Sequence, residues 1–181
     1  MLLALSREVQ RAEGSVTRVI GIDQGLTGGI AYLEREPGGR VHRLAHAEFS
    51  TVKHCGRNEI DARSLGNSVA AMVTLFGKPD LVVAEKIQFR PGQGHATVIG
   101  CNFGIVRAVL QRVDAPMIEV EARRWQADIL PGTRQGQTKA AAAKYAGKLM
   151  DLDLITPKRG KLPHSGICDA VCLAAWGLRQ L

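Results

Sequence analysis

The sequence has no apolar run long enough to cross a membrane, no internal repeat and no low-complexity tract. These absences exclude a membrane-spanning helix, a repeat array and a compositionally biased tail. The opening MLLALSREVQRAEGS has too short an apolar stretch for a secretory signal. It also carries Glu8 and Glu13, unlike a transit peptide. Cysteine is scarce, and Cys55, Cys101, Cys168 and Cys172 show no zinc-type spacing. Cys168 and Cys172 stand four apart in an apolar helical pattern and read as core thiols. A disulfide scaffold is therefore not expected, and a soluble protein of a reducing compartment is.

Acidic residues are also in short supply: 17 Asp and Glu face 24 Lys and Arg, for a net charge of +7. The imbalance is concentrated. Between Ala122 and Lys161 nine basic residues face three acids, a surplus of six. An extended polyanion suits such a chain, although a merely solvated basic face is the plainer reading.

What is present is enough for one domain: 181 residues, 45% of them hydrophobic. We expect residues 1–15 to form an N-terminal extension and 16–181 a single domain. Patterning predicts strands over Arg18–Asp23, Ile30–Glu34 and Val41–Ser50, followed by a polar, basic loop over Val52–Glu59. Helical spacing of Leu65, Val69, Met72, Val73 and Phe76 predicts a helix over Asp61–Phe76 with Gly77 as its stop. LVVAE is a short buried strand ending in Glu85. A helix over Thr97–Arg112, a strand over Met117–Val120, and helices over Ala122–Leu130, Thr138–Met150 and Ser165–Leu178 complete the order. The class is α/β: a mixed five-stranded sheet, with a three-strand antiparallel meander continued by parallel strands and helices on both faces.

Asp23 and Glu85 each end a strand otherwise made of Val, Ile, Leu, Ala and Gly, where a carboxylate is costly unless paired or metal-bound. If the first and fourth strands are parallel neighbours, both acids leave one sheet edge. Asp169, read as lying in the first turn of the last helix, would join them there. Three converging carboxylates suit hard divalent cations, and two Mg²⁺ ions can hold the attacking water and leaving oxygen of a phosphodiester in line. Each acid has a plainer reading. Asp169 would complement a helix dipole, and Glu85 would pair with Lys86 or an arginine. His164, five residues before Asp169, either is solvated or positions water or metal. Capping and turn roles suffice for Asp61 and Asp80, and Glu119 and Glu121 read as one exposed strand face.

The opening VIGIDQGLTGGIAYL, a strand, Asp, turn and strand, serves phosphate binding in sugar-kinase and actin-like ATPases and metal-nuclease chemistry in RNase H-like enzymes. The ATPases need a second phosphate loop and an adenosine-binding domain, which this sequence lacks. With DLVVAEKIQF, CNFGIVRAVL, EVEARRW, TKAAAAKYA and CDAVCLAAWGL in that order, the chain resembles the RuvC-like Holliday-junction resolvases of the RNase H-like superfamily. Trp125 and His164 bring it nearest the chloroplast branch.

The resemblance implies a homodimeric, metal-dependent crossover junction endonuclease of DNA recombination and repair, nicking four-way DNA symmetrically to 5′-phosphate and 3′-hydroxyl ends. Mg²⁺ would be its metal, two ions per site with Mn²⁺ as substitute, and no small-molecule cofactor or membrane is involved. The family's metal-binding acids match Asp23, Glu85 and Asp169. Its further acid or histidine, three residues before the last, falls on Gly166, and His164 stands in as a catalytic residue. A phosphate-contacting lysine matches Lys139, preceded by Thr138 as an N-cap. A second basic residue falls on Arg123 or Arg124. Phe89 matches an aromatic placed at the junction centre, or else packs under its own loop, and its neighbours Gln88 and Arg90 would hydrogen-bond bases or sugars of the DNA. Such an enzyme is expected in the cytoplasm, at a bacterial nucleoid or in a phage-infected cell, with an organelle compatible. The competing readings are another RNase H-like nuclease, acting on branched DNA or RNA–DNA hybrids, and a junction-binding module with an incomplete metal site.

Overall fold

A computed structural model describes residues 15–87, 96–134, 136–149 and 163–181. The extension over 1–15 (but for Ser15) and the loop residues Gln88, Phe89 and Arg90 thus lie outside the described residues. In chain order the elements are β1 (Thr17–Asp23), β2 (Gly29–Arg35), β3 (Val41–Glu48), β4 (Thr51–His54), β5 (Arg57–Ile60), α1 (Ala62–Phe76) and β6 (Leu81–Glu85). There follow α2 (Ala96–Leu110), β7 (Met117–Val120), α3 (Ala122–Ile129), α4 (Thr138–Ala146) and α5 (Ser165–Leu178).

The main sheet has the expected five strands, in the order β3-β2-β1-β6-β7. β1, β2 and β3 form the antiparallel meander, and β1 pairs with β6, and β6 with β7, in parallel. Alternation along the strands builds two cores. Val19, Leu33, Leu81 and Val83 pack with Trp125, Ala142 and the buried length of α5. Ile20, Ile22, Tyr32 and Val82 pack on the other side with Leu65, Val69 and Met72 of α1 and Val106 and Leu110 of α2.

The helix α5 is apolar nearly all round and buried along most of its length, as a helix covered on every side should be. Glycine sets how close it comes to the sheet. A Cβ on Gly21 would collide with the backbone of Ala170 and Ala174, and one on Gly177 would lie 2.6 Å from Val83 Cγ2. Cys168 and Cys172 are buried, as expected of core residues, with Cys172 Sγ 4.0 Å from Ala142 O of α4, and all four cysteines are free.

Four expectations need correction. Residues expected as a loop after β3 form the hairpin β4–β5, whose pairs run from Thr51↔Ile60 to His54↔Arg57. It closes through Cys55 (φ 47°) and Gly56 (φ 76°), both left-handed as a two-residue hairpin turn requires. With its strands almost wholly exposed, no apolar alternation marked them. The helix expected to reach Met150 ends at Ala146, capped at Gly147. Thr138 is inside α4 rather than at its N-cap, which is Gln137, with no side-chain cap hydrogen bond. Asp169 lies beyond the first turn of α5, which contains no acid, so a dipole role does not account for it. Asp61 does cap α1, its Oδ1 accepting from the N–H groups of Arg63 and Ser64 at 3.0 and 3.2 Å.

Candidate active site

The parallel register of β1 and β6 pairs Ile22 with Ala84. The next residue on each strand is a carboxylate, so Asp23 and Glu85 leave the sheet at one edge. Strand alternation also puts them on the face of Val19, Gly21, Leu81 and Val83, against α5. Asp169 comes from α5 itself. Its approach is set by the close packing at Gly21 and by a parallel bridge between Gly28 and Gly166. No side chain fits at the bridge: a Cβ on Gly166 would strike Thr27 O and stand 2.6 Å from Gly28 Cα. The position expected to supply a further acid is thus the point where the turn after Asp23 docks on α5.

The three acids share one electrostatic field. Burial raises Asp23 above the ordinary carboxylate range, against the Gly25 N–H that donates to its Oδ1 at 3.1 Å and the charges of His164 and Lys139. Burial also raises Glu85, partly offset by a hydrogen bond from Trp125, and the Asp23 charge raises it further. Asp169 is pushed up to about 7 by burial, then by Asp23 and Glu85, with Lys139 opposing. Such mutually repelling, half-buried carboxylates are typical of functional sites, and the all-oxygen donor set fits a hard divalent cation that would relieve the repulsion. Among the described residues, no three His, Cys, Asp or Glu groups already stand close enough together to hold an ion.

Partners hold two of these acids in place. Trp125, 1% exposed, donates from Nε1 to Glu85 Oε2 at 2.9 Å. Buried Gln24, next to Asp23, donates from Nε2 to the Glu85 carbonyl at 2.6 Å and ties the two strand ends together. Neither role was read from the sequence. A signal existed for Trp125, since a buried indole N–H seeks an acceptor; nothing local marked Gln24. The plainer reading of Glu85, paired with Lys86 or an arginine, finds no such ion pair among the described residues. Lys86 instead meets Glu121 at 3.5 Å.

His164 is the N-cap of α5. Its Nδ1 accepts from the Ile167 N–H at 3.3 Å, and its Nε2 lies 3.6 Å from Glu48 Oε2, so both ring nitrogens are engaged. Lys139, exposed at the start of α4, is close enough for its charge to act on Asp23 and Asp169. Of the two arginines offered, Arg123 lines a cleft of about 780 Å³ together with Asp23, Gln24, Glu85, Lys86 and Val98. It also lines a smaller cavity that reaches Thr138. Arg124 turns away, its guanidinium 5.6 Å from the Trp176 ring centroid.

No family model and no curated protein matches the sequence. Solved structures do. RuvC of Thermus thermophilus aligns with a TM-score of 0.61 at 18% identity, over 91% of this chain and 96% of that one. The same organism's RuvC in complex with a Holliday junction substrate gives 0.58 at 16%, over the same shares. The yeast mitochondrial Holliday junction resolvase Ydc2 gives 0.54 at 13%, over 90% and 78%. The chain has the RuvC-like fold. Its mixed sheet, flanked by five helices among the described residues, agrees with the likeness drawn from the motifs, which run from β1 to α5.

Proposed function

We propose that this protein is a metal-dependent endonuclease that resolves four-way DNA junctions as a homodimer. One observation carries the reading: Asp23, Glu85 and Asp169 reach one edge of a RuvC-like sheet from three separate elements, with Lys139 beside them. Two Mg²⁺ ions, or Mn²⁺ in their place, would supply the positive charge that orients water and stabilises the departing oxygen. Asp23, on the central strand, would hold them together with Glu85 and Asp169. Water oxygen bonds to phosphorus as the bond to the 3′ oxygen breaks, leaving a 5′-phosphate and a 3′-hydroxyl. Lys139 and the uncapped N–H groups at the start of α4 suit the scissile phosphate. Arg123 suits the strand where it enters the cleft. Symmetric nicking needs two such sites related by a two-fold axis.

A second reading, a binding module without catalysis, draws on Gly166, which offers no fourth ligand. The test uses a labelled junction and a linear duplex of the same sequence, with and without Mg²⁺. The resolvase makes paired, ligatable, metal-dependent nicks in the junction alone, and Asp23→Asn abolishes them while junction binding persists. Cutting retained by Asp23→Asn overturns the metal site; tight binding without cutting by the wild type favours the binding module.

A further inference from the structure

The hairpin β4–β5 has no place in the site just described, and its construction calls for a role. A two-stranded ribbon is marginal by itself, and this one contributes to the core only through Ile60 at its base. Val52 is 46% exposed, and every residue from Thr51 to Asn58 is open to solvent. The turn spends a left-handed conformation on a non-glycine residue, Cys55.

Its location is specific. β3 ends at Glu48, which pairs with Gly29, which pairs in turn with Asp23. The next N–H, that of Phe49, donates to Gly28 O at 3.2 Å, inside the turn that follows Asp23. The returning strand is pinned where Asn102 Oδ1 accepts from the Ile60 N–H at 2.7 Å, and Asn102 lines the cleft that holds Asp23 and Glu85. The ribbon therefore leaves the sheet at the edge bearing the carboxylates. At roughly 3.4 Å per residue its four rungs span about 10 Å.

Charge is graded along it. The rung near the base pairs Val52 with Glu59, whereas the outer rungs pair Lys53 with Asn58 and His54 with Arg57. The outer half thus carries two cations, a histidine and an amide, and no acid. Among the described residues no side chain of Lys53, His54 or Arg57 has an ion-pair or hydrogen-bond partner. Exposed, unpaired cations at the end of a ribbon are not a stability device, since they bury nothing and neutralise nothing.

We infer that the β4–β5 hairpin is a second DNA contact, in which Lys53 and Arg57 grip backbone phosphates of a duplex arm leading away from the cleft. This rests on the nuclease reading for its location and on the ribbon's own charge for its partner. A two-stranded ribbon has the width to lie in or along a duplex groove, and its donors suit phosphates rather than a base sequence.

The test measures affinity of the full chain for a labelled linear duplex and for a four-way junction across a salt series. The variants are Lys53→Ala/Arg57→Ala and, as a control, Arg40→Ala/Lys78→Ala. The control removes the same charge from two exposed sites at the opposite edge of the sheet. The hairpin variant should bind both DNAs about tenfold more weakly, with a salt slope shallower by about two, one for each lost phosphate contact. The control should follow the wild type. Equal slopes and affinities for hairpin variant and control overturn the inference, even if the junction is cut normally. A shallower slope on linear duplex from a protein that cuts no junction sustains the hairpin contact and removes the resolvase reading instead.

Discussion

The indole Nε1 of Trp125 donates to Glu85 Oε2 at 2.9 Å, from a ring that is 1% exposed. The bond fixes which way the carboxylate points and uses one of its oxygens, in a residue that lines the cleft. It also lowers the pKa of Glu85 against the effect of burial. Trp125 is thus a positioning residue, and its service to Glu85 is separable from its packing.

Trp125→Phe keeps an aromatic body in the core and deletes the N–H. Half-saturating Mg²⁺ for junction cutting should rise about 10–100-fold, the usual cost of losing a partner that orients a ligand. Junction affinity measured in Ca²⁺ should stay within about twofold of wild type. An unchanged Mg²⁺ requirement would mean that the bond orients nothing of consequence.

Gly166 gives a prediction of the opposite kind. Restoring an acid there looks like completing the metal site, yet the structure has no room for even a methyl group. Gly166→Asp and Gly166→Ala should both separate the Asp23 turn from α5, costing about 1–3 kcal/mol. For a chain of this length that lowers Tm by about 3–10 °C. Both should also cut more slowly than wild type. A Gly166→Asp protein that melts normally and cuts faster would show that the position is an empty ligand site rather than a docking point.

The sheet and the convergence of the acids were legible because they follow from patterns of single residues. LVVAE and VIGID are apolar up to a terminal carboxylate, and alternation then forces both acids onto one face. Gly21, Ala170, Ala174 and Gly177 were visible as small residues, but only the packed structure shows them as the surface where α5 meets β1 and β6. The hairpin β4–β5 was missed because strand patterning reports burial, and its strands have almost none. Gln24 and the N-cap of His164 were missed because each depends on a backbone group distant in sequence or on a helix start one residue away. Thr138 was misassigned because a threonine before a helical run looks the same at the N-cap as at the first helical position.

The charge of Lys139 acts on both Asp23 and Asp169. Lys139→Ala should slow single-turnover cutting about 10²–10³-fold, the range for removing one group that stabilises developing charge. Its effect on junction affinity should be only a few-fold. Lys139→Arg should recover part of the rate, since charge is kept and reach is altered. If Lys139→Ala weakens binding and leaves the saturated rate intact, the residue serves affinity alone.

The raised pKa of Asp169 links the site to stability. Its ordinary value of 3.8 is pushed up to about 7 in the fold. Between those values the native state holds a proton that the unfolded state has lost, so stability falls as pH rises through that window and levels off above it. Asp23 and Glu85 shift in the same direction and add to the trend. In metal-free buffer, Tm at about pH 8 should therefore lie several degrees below its value at about pH 5. Asp169→Asn should flatten that slope and melt above wild type at about pH 8, because it removes a crowded negative charge. Added Mg²⁺ should raise the Tm of wild type at that pH and raise Asp169→Asn much less. Parallel pH profiles for the two proteins, with equal responses to Mg²⁺, would detach Asp169 from the carboxylate cluster and return it to the role of an ordinary helix residue.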